Sequence, residues 1–305
     1  MRRSRYLQCL LVCALFLPRP VEAEPPPDLR SQLDSLFGQT PSSPIEWVAK
    51  EGVSDRAAMK VPVKLDGDTC RFQVDTGLDV TLLYGNIPAK RGWETCDGMV
   101  HVPRMEIGGM DLGPVWVRTR EDHGDPDKLG GSIGLDLLAG QLVIIDFPGN
   151  RIILMKHGQA PVWLWQRTTW TPAELRDAKL FLNITLNGKG LDGLLFDTGS
   201  SAFGLIVDFD RWKTLTECAG PEQAETEWIV GSWGRAMTIL GAPALGALVI
   251  GSARIEDPNV FYIKEQPDLF SNWPFPANGL IGNALFFDRV VVLDLGIRPR
   301  FGLVQ

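Results

Sequence analysis

Histidine, cysteine and tyrosine are scarce in this chain, at three, five and three of its 305 residues. His101, His123 and His157 lack metal-ligand spacing and no Cys-His cluster joins them, so neither a metal nor any other cofactor is expected. No Gly-x-Ser-x-Gly turn is present, which removes the nucleophile elbow of the α/β-hydrolases. The N-terminal apolar stretch, Tyr6 to Leu17, is shorter than the roughly 20 residues a membrane-spanning helix needs. Basic charge is not in excess either: 30 Lys and Arg stand against 37 Asp and Glu, a net charge of −7. That balance argues against nucleic acid or an anionic membrane as partner.

Arg2, Arg3 and Arg5 precede the apolar stretch, and Pro18, Pro20 and Val21-Glu22-Ala23 follow it. This is the build of an export signal cleaved near Ala23, so a periplasmic or secreted protein without stable membrane insertion is expected. Arg2-Arg3 matches a twin-arginine signal poorly, and Cys13 lacks the small residues that precede a lipidated cysteine. Beyond Ala23 the chain keeps 26 basic and 36 acidic residues, a charge near −10. Three cysteines remain, and two readings stand: a Cys70–Cys96 bridge, or three buried thiols.

What the chain does have is a duplication. Val74-Asp75-Thr76-Gly77 in the first half is matched by Phe196-Asp197-Thr198-Gly199 in the second, and the flanking signals repeat in the same order. Before each aspartate, two apolar runs are joined by Asp66-Gly67 or Asn187-Gly188, which are strong hairpin signals. After it come Ser132-Ile133-Gly134 or Leu280-Ile281-Gly282, then an apolar run ending twelve residues past the glycine at Asp146 or Asp294. A turn and a last short strand close each copy, Arg151 to Met155 and Arg300 to Val304.

Paired apolar-Asp-Thr-Gly turns, each followed by an apolar-apolar-Gly strand, resemble the pepsin-like aspartic peptidases. Gly131-Ser-Ile-Gly-Leu-Asp-Leu-Leu138 is also similar to the single-lobe retropepsin-like relatives, and the short leader and sparse cysteines suit an exported bacterial member. The resemblance covers residues from about 58 onward. It implies an all-β, bilobal aspartic-protease fold with two pseudo-symmetric lobes and a cleft between them. The expected organisation is a signal at 1–23, a linker or propeptide at 24–57, lobes at 58–157 and 178–305, and a connector at 158–177. In the connector, Thr171-Pro172-Ala173-Glu174 reads as a helix start. In the N-terminal segment, Leu29, Leu33, Leu36 and Phe37 mark an amphipathic patch, either a propeptide over the cleft or a short helix leading into the first strand.

Peptide hydrolysis without a metal or a covalent intermediate needs a base for water and an acid for the carbonyl oxygen. Two carboxyls in contact supply both, because they cannot both ionise easily and share one proton. Asp75 and Asp197 are the expected catalytic pair; which one is the base stays open. By resemblance, Thr76 and Thr198 brace the two turns, Gly77 and Gly199 present carbonyls to the substrate backbone, and Gly134 and Gly282 support the loops. Three residues after each aspartate stand Leu78 and Ser200, so only Asp197 has the outer hydroxyl of the pepsin type. No flap tyrosine is evident; the candidate flap is Gly92 to His101, turning at Asp97-Gly98, with Trp93 either doing the tyrosine's work or packing at the rim. A second hairpin, Trp228 to Gly234, is its expected counterpart. Asp146 and Asp294 end apolar strands and are expected to be structural, and the sequon at Asn183 falls inside a predicted strand.

The implied function is an exported aspartic endopeptidase acting, as a monomer, on peptide or unfolded protein. The alternative is a catalytically silent peptide- or ligand-binding protein on the same scaffold.

Overall fold

A computed structural model describes residues 28–120, 129–232 and 235–305. The expected export signal at 1–23, His123 and Trp233-Gly234 lie outside the described residues. In each half, the fold starts from a tight hairpin. Strand Ser54–Leu65 returns as Asp68–Val74, and Lys179–Leu186 returns as Lys189–Phe196. Both turn residues have positive φ in each case, 49° and 95° at Asp66-Gly67 and 48° and 72° at Asn187-Gly188. That geometry matches the right-handed twist of the flanking strands.

The returning strand of each hairpin delivers its Asp-Thr-Gly turn, and the chain then folds back through it. Strand Gly131–Ile133 pairs parallel with Phe72 to Val74 and antiparallel with Leu82–Tyr84. Leu82–Tyr84 in turn runs parallel to the end of Met110–Arg120. The second half repeats this with Gly279–Ile281 against Leu194 to Phe196 and Leu205–Ile206, and with Leu205–Ile206 parallel to Asn259–Ile263. The crossing is tight: a Cβ on Gly134 would lie 2.7 Å from the Val80 carbonyl carbon, and one on Gly282 would run into the carbonyl oxygens of Ser200 and Phe203.

Between the lobes lies an antiparallel run of six strands, part of a larger sheet that continues into the second lobe, in the order Ser43–Pro44, Arg151–Lys156, Gln141–Asp146, Val290–Asp294, Arg300–Val304, Thr168–Arg176. At its centre Ile144 faces Val292, and each stands ten residues past the glycine of its own copy, Gly134 or Gly282. Equivalent residues therefore face each other, and the pseudo-two-fold axis passes between them. The architecture is the bilobal aspartic-protease fold, mostly β, as the duplication predicts.

Asp146 and Asp294 lock the ends of this sheet. Asp146 accepts from Arg151 Nε at 2.7 Å and from the Gly149 N–H at 2.9 Å, and Asp294 accepts from Arg300 Nη2 at 2.6 Å and the Gly296 N–H at 3.2 Å. Their matched roles are structural. Cys70, Cys96 and Cys218 are free thiols, and Cys96 is exposed rather than buried.

One expectation needs correction. The connector has no helix at Thr171; helix Val162–Arg167 comes first, and Thr168–Arg176 is a strand. It pairs on one edge with Arg300–Val304 and on the other with Lys179–Leu186, and this two-sided pairing overrides the local capping signal. Of the two readings of the segment before residue 58, the short helix leading into the first strand is the one the structure shows. Helix Leu29–Gln39, capped by Asp28, buries Leu33, Leu36 and Phe37 against Leu142, Ile144, Ile153 and Val292 of the interlobe sheet. Arg30 reaches Asp146 at 3.1 Å, and strand Glu46–Lys50 then joins the first-lobe sheet. Three buried apolar side chains at about 1.5–3 kcal/mol each make the helix part of the core.

Candidate active site

Asp75 and Asp197 meet at the pseudo-two-fold axis. Each carboxyl rests on the other lobe's glycine: a Cβ on Gly77 would lie 2.7 Å from the Asp197 carboxyl carbon, and one on Gly199 would lie 2.6 Å from that of Asp75. Only glycine leaves the carboxyls room to meet. Within each turn the glycine N–H donates back to its own aspartate, Gly77 to Asp75 at 3.0 Å and Gly199 to Asp197 at 2.8 Å.

The two threonines hold the turns together. Thr76 Oγ1 donates to the Phe196 carbonyl at 2.8 Å and accepts from the Thr198 N–H at 3.0 Å. Thr198 Oγ1 donates to the Val74 carbonyl at 2.9 Å and accepts from the Thr76 N–H at 3.0 Å. Both side chains are fully buried. Four cross-lobe hydrogen bonds in a dry interior fix the distance between the carboxyls.

Electrostatics separates the two aspartates. Burial, then the charge of Asp197 and the hydrogen bond between the two, hold the Asp75 carboxyl well above the usual carboxylate range, while the Gly77 N–H and the Lys179 ammonium act the other way. Burial raises Asp197 too, but the hydrogen bond from Asp75 and the N–H groups of Gly199, Ser200 and Gly77 offset it. A carboxylate with several donors keeps its charge more easily, so both carboxyls are raised and Asp75 is the one held higher. Ser200 contributes through its backbone; its hydroxyl makes no hydrogen bond to Asp197 among the described residues.

Two residues in the site were not anticipated. Gln73 Nε2 donates to the Gly199 carbonyl at 3.0 Å, and Lys179 Nζ donates to the Gly77 carbonyl at 2.6 Å. Each bond crosses from one lobe to the other and ends on a carbonyl that the family resemblance assigns to substrate. Gln73 carried a readable signal: it is two residues before Asp75, on the same strand face, where the second copy has the buried Leu195. Lys179, at the first position of its strand, had none.

The hairpins over the site are unequal. The first lobe has the predicted turn at Asp97-Gly98, between strands Thr95–Cys96 and Met99–Ile107. It stops level with the sheet, since the Gly98 carbonyl accepts from Thr119 N–H at 2.9 Å and Thr119 pairs with Leu83. Trp93 is not at the tip. It follows the left-handed Gly92, packs on the first-lobe core and carries the Arg91 guanidinium 5.0 Å above its ring, so the substrate-contact assignment for Trp93 is replaced by a packing role. The second-lobe hairpin, Thr226–Ser232 with Arg235–Pro243, is longer. Its support ends at Thr238, whose carbonyl accepts from Lys264 N–H at 2.9 Å, and its pairing continues to Ser232 and Arg235. About three residues per strand, near 10 Å, extend past that support. On this hairpin Trp228 packs with Phe203 and Phe261, at 5.8 and 5.6 Å between ring centroids.

No family model matches the chain, and no curated protein matches it in sequence. Among solved structures, conglutin gamma, a basic 7S globulin from lupine seeds, is similar at a TM-score of 0.48 and 11% identity, over 87% of this chain and 94% of that one. The basic 7S globulin from soybean is similar at 0.48 and 9% identity, over 87% and 96% of the two chains. Likeness at this level carries nothing about activity.

Proposed function

We propose that this chain is an exported aspartic endopeptidase that hydrolyses extended peptides in the cleft between its lobes. The observation that carries the reading is the contact between two half-buried carboxyls, one from each lobe, each resting on the other lobe's glycine. In the reaction Asp197 takes a proton from the attacking water while Asp75 gives its own to the carbonyl oxygen, forming a neutral tetrahedral diol. Its collapse returns a proton to the leaving amine and restores the pair. The family resemblance and the Trp and Phe content of the chain imply apolar substrate side chains near the scissile bond.

One observation favours the silent-binder reading: Gln73 and Lys179 already occupy the carbonyls that would receive substrate N–H groups. For catalysis, substrate must displace both or bind around them. The test is cleavage of a mixed peptide library from about pH 3 to 7 by the parent and by Asp75→Asn and Asp197→Asn. Cleavage that each variant lowers about 100-fold or more supports the peptidase. If the folded parent is as silent as its variants, the peptidase reading is lost and the cleft is to be screened as a binding site.

A further inference from the structure

Two side-chain donors stand on the carbonyls beside the paired carboxyls. Gln73 reaches Gly199 at 3.0 Å and Lys179 reaches Gly77 at 2.6 Å, each from the opposite lobe. The duplication supplies neither bond. Where the first copy has Gln73 the second has Leu195, and these pair across their hairpins with Lys60 and Phe181. Two residues before Phe181 stands Lys179, and two before Lys60 stands Ala58. Each lobe therefore covers the same carbonyl of the other from a position that its counterpart does not use.

These bonds are not what joins the lobes. The four threonine bonds do that from a fully buried position, whereas Gln73 and Lys179 lie at its edge, partly open to solvent. Each donor also has a second place to go. Lys179 Nζ is 3.8 Å from Asp79, whose side chain is 57% exposed, so the ammonium can swing off Gly77 and keep a counter-charge. Gln73 lines a cavity of about 930 Å³, which gives its amide room once it leaves Gly199. What the exchange requires is another donor for each carbonyl, since a desolvated carbonyl left empty is costly. An extended peptide carries such donors in its backbone N–H groups. One that touches the carboxyls passes both carbonyls, because each glycine lies against the opposite carboxyl.

Resting on a peptide entering the cleft, as the endopeptidase reading requires, we propose that Gln73 and Lys179 form a latch that the peptide opens, its backbone N–H groups replacing them on the Gly199 and Gly77 carbonyls. The free site is then closed by its own side chains, and affinity is lowered by the fraction of molecules in which the latch is shut. Removing a latch donor should tighten binding, the reverse of what losing a ligand contact does.

The test uses the full chain carrying Asp75→Asn and Asp197→Asn, so that peptide is not consumed. Its ligands are an apolar octapeptide capped at both ends and a series in which one backbone nitrogen at a time is methylated. By calorimetry, Gln73→Met and Lys179→Met, which keep an unbranched side chain and remove the donor, should each bind the unmethylated peptide about three- to tenfold more tightly, the order of one hydrogen bond. Gln73→Leu, carrying the second copy's residue, should reproduce the gain. Methylation at one position should abolish the gain of the Gln73 variants, and at a different position that of Lys179→Met. Weaker binding would show that the donors contact the peptide, and unchanged binding that they stay on the carbonyls. A gain that survives methylation at every position would show a loosened cleft. Any of these, or no binding of peptide by parent and variants alike, overturns the latch. Cleavage of the same peptide by the chain with both aspartates intact separates the two readings. Tightening without cleavage removes the peptidase and keeps the latch, and cleavage without tightening does the reverse.

Discussion

At the scale of single residues, the site depends on groups that each serve both lobes. Thr76 shows this best, because its buried hydroxyl donates to one strand of the opposite lobe and accepts from its turn. Thr76→Ala leaves a buried carbonyl and a buried N–H unpaired, at about 1–3 kcal/mol each. Denaturant unfolding should show a loss of roughly 3 kcal/mol for Thr76→Ala and within about 1 kcal/mol for Thr76→Ser, which keeps both bonds. Equal losses for the two would mean the methyl's packing matters more than the hydroxyl. Lys179 acts through charge. Its ammonium favours the ionised form of Asp75, so Lys179→Met should raise that carboxyl further and move the alkaline limb of the kcat/KM profile to higher pH. A limb that stays in place or moves down would show that the lysine serves only as a clasp on Gly77. The paired aspartates, glycines and threonines were legible because a duplicated motif repeats its chemistry. Lys179 was not, since its effect comes from a cross-lobe contact that no local pattern encodes.

At the scale of elements, the sequence spoke clearly wherever geometry is local and less clearly where pairing is distant. Asp66-Gly67 and Asn187-Gly188 fixed their hairpins because few residues tolerate two positive φ values in succession. Thr171-Pro172 misled because a capping pattern describes one strand of chain, whereas Thr168–Arg176 is decided by its two neighbours. The first-lobe turn falls at Asp97-Gly98 as the sequence predicts, but the hairpin's reach is set by the register with Met110–Arg120, which the sequence does not show. The N-terminal helix carries its own prediction. Leu33 is 1% exposed between the interlobe strands, so Leu33→Ala should cost about 2–5 kcal/mol. Deleting residues up to Gln39 should lower the melting temperature and release no activity. Activation on deletion, with stability unchanged, would instead identify an inhibitory propeptide.

At the scale of the whole molecule, the two lobes are joined so that neither holds a complete site, and this sets how stability responds to pH. Asp28, Asp34, Asp111 and Glu265 are held below their ordinary values by hydrogen bonds, from Ser31, Arg151, the Gly113 N–H and Thr238 respectively. The folded state therefore binds their protons less tightly than the unfolded state, and the stability they contribute fades as pH falls below the ordinary carboxylate range, near 4. The Asp75–Asp197 pair has the opposite sign. Asp75 and Asp197 are raised by burial, so the folded state holds their proton after the unfolded state has released it, and stability declines as pH rises above that same range. The two trends meet in a maximum at about pH 4–5. Replacing both aspartates with asparagine removes the second trend alone. Thermal melts from about pH 3 to 8 should then show parent and double variant falling together on the acid side. On the neutral side they should separate, the variant melting higher by a margin that grows with pH. A margin that stays constant, or parent and variant declining equally toward neutrality, would mean that the buried pair carries no strain from its charge, and the proton assigned to Asp75 would have to be withdrawn.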